Sequence, residues 1–145
     1  MSFYKLFLFI HILSAIISIG PLFGIFPLLN RMKKTDTSQT EGFILSLQGI
    51  LKAISNGGRV LVPSGLILIW LGGWSWTTSW VVLTFIIMMC TLLFLARAFK
   101  PAMNLVDTTE FTKEKFISMM TTATWKYISL MSILLWLMVA KPHFW

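Results

Sequence analysis

From Tyr4 to Asn30 the chain reads YKLFLFIHILSAIISIGPLFGIFPLLN, and between Lys5 and Arg31 its one ionisable side chain is His11. About 20 consecutive apolar residues suffice to cross the hydrocarbon core of a bilayer as a helix. An ionisable group at that depth is expensive and turns towards a bundle interior or a wet cavity. Ser14 and Ser18 follow His11 at helical spacing, so the three share one face. Such a stripe has to be covered by other helices, which makes the chain a membrane bundle. A secretory signal peptide would carry only about 7–15 apolar residues before a small-residue cleavage site. This run is longer and ends in Pro-Leu-Leu-Asn-Arg-Met-Lys-Lys, so it is expected to stay as a helix.

Three more apolar runs follow. The fold expected is all-α, an integral membrane four-helix bundle in one transmembrane domain, residues 1–145. Its spans fall at about residues 4–30, 59–74, 80–99 and 116–140. Pro21 and Pro63 lie inside spans and predict kinks, because each removes one backbone donor. Between the first two spans, Phe43, Ile44, Leu47, Ile50, Leu51 and Ile54 recur at helical spacing. Residues 41–55 therefore form either an amphipathic helix on the membrane or an extension of the second span. Asn56-Gly57-Gly58 is the weak point between the two. The uncharged stretch GWSWTTSW places Trp74, Trp76 and Trp80 in an aromatic belt at one membrane face.

Lys and Arg set the orientation. Arg31, Lys33, Lys34, Arg97, Lys100, Lys113 and Lys115 flank the loops after spans one and three, and the loop after span two has none. The positive-inside rule puts both termini outside and the basic loops in the cytoplasm. The expected location is a bacterial cytoplasmic membrane, with membrane lipids as the constant partners.

Only 12% of residues are charged, against about a quarter in soluble domains. The net charge of +7 resides in residues flanking apolar runs, so no nucleic-acid partner is implied. The single cysteine, Cys90, excludes an intrachain disulfide and any CxxC site. No paired carboxylates, phosphate loop, HExxH or serine elbow is present, so no catalytic residue can be assigned. The methionines are scattered and read as core filling rather than as a copper site.

The candidate chemistry lies with the polar residues of the spans. His11 is a candidate metal or haem ligand through a neutral imidazole nitrogen, or else a histidine hydrogen-bonded inside the bundle. Ser14 and Ser18 join it as candidate cofactor-binding residues. Arg59, near the inner part of span two, suits an anionic headgroup or a propionate-like carboxylate, or snorkels to the interface. Ser118, Thr122, Lys126, Ser129 and Ser132 form a second polar stripe on span four. If the two stripes meet inside the bundle, His11 and Lys126 line one cavity that opens towards the outer half. The alternatives are interhelical hydrogen bonding without a ligand, or a homo-oligomer or larger membrane complex in which the chain is an accessory subunit.

Three segments carry a resemblance: FIHILSAIISIGPLF in span one, VLVPSGLILIWLGGW in span two and LLWLMVAKP at the end of span four. Together they resemble an uncharacterised bacterial integral-membrane family related to the HemJ and CopD proteins. The likeness implies a four-helix membrane protein with a first-helix histidine at His11. For the HemJ branch it implies haem b as a cofactor and protoporphyrinogen oxidation as an activity. That branch has an important lysine in its third span, whereas WVVLTFIIMMCTLLFLARAF has no basic residue before Arg97. The CopD branch implies copper uptake.

Overall fold

A computed structural model describes residues 2–144. It contains α1 (Phe3–Lys34), a 3-10 turn (Thr37–Gln39), α2 (Thr40–Leu71), α3 (Ser79–Ala98), the short α4 (Lys100–Leu105) and α5 (Lys113–Ala140). No strand occurs among the described residues. Four helical segments are long and apolar enough to cross a membrane. The protein is an all-α integral membrane four-helix bundle. Its loops segregate into a basic end, with the α1–α2 and α4–α5 connections, and an aromatic end, with the α2–α3 connection and the termini.

α1 and α2 form a long antiparallel hairpin, and their seam explains the polar stripe on α1. The buried residues of α1 are Ser14, Ser18, Leu22, Ile25, Leu29 and Met32, at alternating helical steps. Opposite them α2 buries Ile44, Leu47, Ile54, Gly57, Gly58, Leu61 and Ser64. The seam is apolar towards the basic end and small towards the aromatic end. Small residues allow helix backbones to approach closely where lipid provides no hydrophobic drive. At Gly57 the approach is tightest: a β-carbon there would sit 2.5 Å from Ser18 Oγ and 3.1 Å from Ser18 N. This resolves the alternative left open for residues 41–55. They do not lie apart on the membrane but continue α2 without a break through Asn56-Gly57-Gly58. The glycines serve packing rather than a turn. α1 likewise runs on past Pro21 and Pro27 to Lys34.

α5 packs across α1 and α3. Its buried face carries Phe116, Met120, Ala123, Thr124, Tyr127, Ile128, Met131, Leu134 and Leu137. Tyr127 stacks on Phe94 of α3 at 6.3 Å between ring centres and meets Phe99 edge-on at 6.2 Å. At the basic end Lys113 Nζ donates to the Thr35 carbonyl at 2.6 Å, tying the end of α1 to the start of α5. Glu41 and Glu114 sit in the first turns of α2 and α5, and Arg31, Lys33 and Lys34 in the last turn of α1. Both placements complement the helix macrodipoles. α2 and α3 scarcely touch. The bundle is therefore closed around α1 and α5 and leaves a cleft on the α2–α3 side.

Candidate functional site

Within this cleft, in the half near the aromatic end, lies a partly open cavity of about 600 Å³. α1, α2, α3 and α5 all contribute to it. Its wall is almost wholly apolar, formed by residues such as Leu8, Ala15, Ile19, Leu61, Ile69 and Leu134. Four polar lining groups stand out: His11, Thr84, Tyr4 and Lys141. An apolar pocket with a few convergent polar groups is the usual form of a small-molecule site.

α1 places His11 one turn before Ser14, on the face that meets α2. His11 Nδ1 lies 3.0 Å from the Leu61 carbonyl and 3.0 Å from Ser64 Oγ. A carbonyl only accepts, so Nδ1 carries the proton. The Ser64 hydroxyl donates within its own helix, to the carbonyl of Val60 at 2.8 Å or of Leu61 at 2.9 Å. Its oxygen is thereby free to accept from Nδ1–H. In the neutral ring this bonding leaves Nε2 with its lone pair. Gly65 gives the ring its space: a β-carbon there would lie 3.0 Å from His11 Cε1. An imidazole held through Nδ1–H by a backbone carbonyl is the arrangement that orients a ligating histidine.

The mouth at the aromatic end is built by two turns and the C-terminal tail. α2 ends in a Schellman motif, with Trp74 N–H bonded to Ile69 O at 3.2 Å and Gly73 N–H to Trp70 O at 3.3 Å. Gly73 takes the left-handed φ of 65° that the motif needs. The turn folds Trp74 back over Gly72, where a β-carbon would meet the indole Cδ1 at 2.7 Å. α5 ends at Lys141, also left-handed, with φ 44°. The following tail is strapped to the start of α3. Ser79 Oγ donates to the Pro142 carbonyl at 3.1 Å and accepts from Phe144 N–H at 3.0 Å. Lys141 Nζ is thus held 4.6 Å from the centre of the Trp74 ring and 5.5 Å from that of Trp80. Trp80 and Trp74 meet edge-on at 5.2 Å. Trp80 Nε1 and Thr84 Oγ1 are buried polar atoms without a hydrogen-bond partner, and both residues line the cavity.

The other candidates are placed differently. Ser14 is buried and its hydroxyl donates back to Ile10 O at 2.7 Å. Ser18 is buried against Gly57, and its hydroxyl has no partner. Arg59 is exposed and borders a separate hollow of about 270 Å³ between α2 and α3, with Leu51, Ser55 and Leu92. Lys126 is exposed on α5 and lines neither space. The expectation that His11 and Lys126 share one cavity is therefore corrected. α5 fills the core with its large apolar face, and its polar stripe points away from the bundle. Among the described residues no group of three or more His, Cys, Asp or Glu is placed to hold a bare metal ion. A metal at His11 would have to arrive inside a larger cofactor.

Sequence reasoning missed Gly65, Thr84 and Lys141 as site residues. Lys141-Pro142 and the tryptophans were legible only as boundary markers, although a lysine left between a span and a proline beside an aromatic belt is a signal for a cation–π clamp.

No curated protein and no solved structure matches the chain. A family model does, over residues 5–142, and the chain belongs to that family, which is described as a predicted integral membrane protein family (DUF2269).

Proposed function

We propose that this protein binds an apolar small molecule in the cleft, with His11 Nε2 as its polar anchor and haem b as the ligand that suits the donor set best. The observation behind this reading is the imidazole itself. Its Nδ1 is committed to Leu61 and Ser64, so its free lone pair belongs to a ring that borders a cavity of about 600 Å³. Met88 and Met138 also border the cavity, and a thioether is a known partner of histidine on haem iron. Lys141 and Tyr4 supply polar contacts at the mouth for a ligand's carboxylates. Haem would bring redox and ligand-binding chemistry to the site. The residues of the chain would hold and orient it, and the apolar wall would exclude water. The sparse α2–α3 contact offers entry from the lipid side.

In this reading the termini and the cavity mouth face outward from a bacterial cytoplasmic membrane, supported by the clustering of Lys and Arg at the opposite end. Arg59, in its own hollow, would meet a lipid headgroup rather than the ligand. The relation to HemJ and CopD proteins is part of the proposal and rests on His11 in the first helix. The absence of a basic residue in α3 before Arg97 favours binding over protoporphyrinogen oxidation.

The test is a haem titration of the purified protein in lipid nanodiscs, followed by visible absorption. The wild type is expected to give a saturable Soret band near one equivalent. His11→Ala should weaken binding at least tenfold, and Lys126→Ala should leave it unchanged. Equal spectra for wild type and His11→Ala would overturn the proposal.

A further inference from the structure

The polar stripe of α5 is exposed along its whole length. Ser118, Thr122, Lys126, Ser129 and Ser132 all face outward, flanked by Trp125 and Trp136, each 57% exposed. A globular surface would make nothing of this, but α5 is apolar and long enough to cross a membrane. Lys126 lies about 15 Å along the helix from Phe116 and about 21 Å from Ala140, at 1.5 Å per residue. That places the ammonium near the middle of the hydrocarbon core. Snorkelling recovers roughly one helical pitch of about 5.4 Å, which does not reach either interface. Charged side chains at this depth almost always face protein or a water-filled cavity and pair with one another or with backbone carbonyls, and an opposite charge is the partner that neutralises an ammonium outright.

The chain cannot supply that charge. All five acids, Asp36, Glu41, Asp107, Glu110 and Glu114, lie in loops or first helical turns at the basic end. A second copy packed on this face through a two-fold axis along the membrane normal would bring Lys126 against Lys126, with hydroxyls around both and no carboxylate at that depth. We infer that the outward face of α5 docks a transmembrane helix of a different protein, one that carries an Asp or Glu near mid-bilayer. Lys126 is the charge that selects it. The hydroxyls of Thr122 and Ser129, one turn either side, supply interhelical hydrogen bonds, and the small side chains of Ser118 and Ser132 allow close approach.

The probe is a designed Leu/Ala single-span helix carrying one Asp at its centre. It is co-reconstituted with the full-length protein in phosphatidylcholine vesicles, and association is read by energy transfer between labels on the two. Relative to the same helix with Leu in place of Asp, association is expected to be at least tenfold stronger. Lys126→Leu should remove the difference. Lys126→Asp should restore association with a helix whose central residue is Lys. Thr122→Val with Ser129→Ala should weaken binding while keeping the preference for Asp. Equal association of the Asp and Leu helices would overturn the inference. So would self-association of the protein that competes with the Asp helix, since the face would then belong to a second copy. Helicity and a melting temperature equal to those of the wild type show that the Lys126→Leu variant is folded.

Discussion

Gly57→Ala tests the close approach of α1 and α2 that holds His11 in place. A methyl group at Gly57 lands 2.5 Å from Ser18 Oγ, 3.1 Å from Ser18 N and 3.2 Å from Ile17 Cγ2. Alanine is intrinsically better in a helix by about 1 kcal/mol, but overpacking a tight site costs about 1–3 kcal/mol. The expected net loss is about 0–2 kcal/mol. The shortest contact is with a hydroxyl that is buried and has no partner. Removing an unsatisfied buried group relieves about 1–3 kcal/mol of desolvation, so Ser18→Ala alone should be neutral or mildly stabilising. In the Ser18→Ala background only the contacts at 3.1 and 3.2 Å remain for Gly57→Ala, and its cost should fall by about 1 kcal/mol. Reversible unfolding in mixed detergent micelles, followed by helicity, gives the four free energies of the cycle. Additive effects, within about 0.3–0.5 kcal/mol, would refute the close approach of Gly57 to Ser18. A Ser18→Ala loss above about 1 kcal/mol would show that the hydroxyl does have a partner.

Gly65→Ala puts a methyl 3.0 Å from His11 Cε1, so the ring must yield by a few tenths of an ångström. Melting should change little, because helix propensity offsets the crowding, while haem affinity should fall about tenfold, roughly 1.4 kcal/mol. An unchanged titration would place the ring elsewhere. Gly65→Leu is expected to abolish binding and lower the melting temperature. Ser79→Ala removes both bonds of the tail strap, each worth about 0.5–1.5 kcal/mol. The effect should be local, read as faster amide exchange at Phe144 with global stability nearly unchanged. In a Cys90→Ser background, a membrane-impermeant maleimide added outside should label Trp76→Cys and spare Lys34→Cys, and the reverse pattern would invert the orientation.

The first, third and fourth spans were legible because their lengths answer to one physical requirement, about 20 apolar residues bounded by charge or proline, whereas the stretch at 59–74 is the later part of a helix that begins at Thr40. The interior position of His11, Ser14 and Ser18 was legible for the same reason, since lipid leaves a polar stripe nowhere else to go unless a partner covers it. What could not be read was pairing at the level of single atoms. Asn56-Gly57-Gly58 has the composition of a turn and behaves as a packing surface, because Gly57 lies opposite Ser18 rather than opposite lipid. Gly65 has meaning only beside an imidazole that is 54 positions away in the chain. Lys141 reads as an anchor at a membrane boundary. It becomes part of the cavity mouth only through two left-handed turns, at Gly73 and at Lys141 itself, that bring remote segments together.

The two polar stripes look alike in sequence and end on opposite sides of their helices. The reason lies in what each has to face. α1 meets α2 at Gly57, Ser64 and Gly65, small or hydroxylated residues that make room for an imidazole and two serines. α5 meets α1 and α3 at bulky side chains: Tyr127 between Phe94 and Phe99, and Trp125 beside Phe26 at 5.0 Å. A lysine with four hydroxyl neighbours has no small, polar complement there. Its opposite face, from Phe116 through Met120, Tyr127 and Met131 to Leu134, fills the same space with apolar volume. Burial of a polar stripe in lipid is therefore decided by the complement rather than by the stripe. Within this chain the complement exists for His11. For Lys126 none of the described residues supplies one.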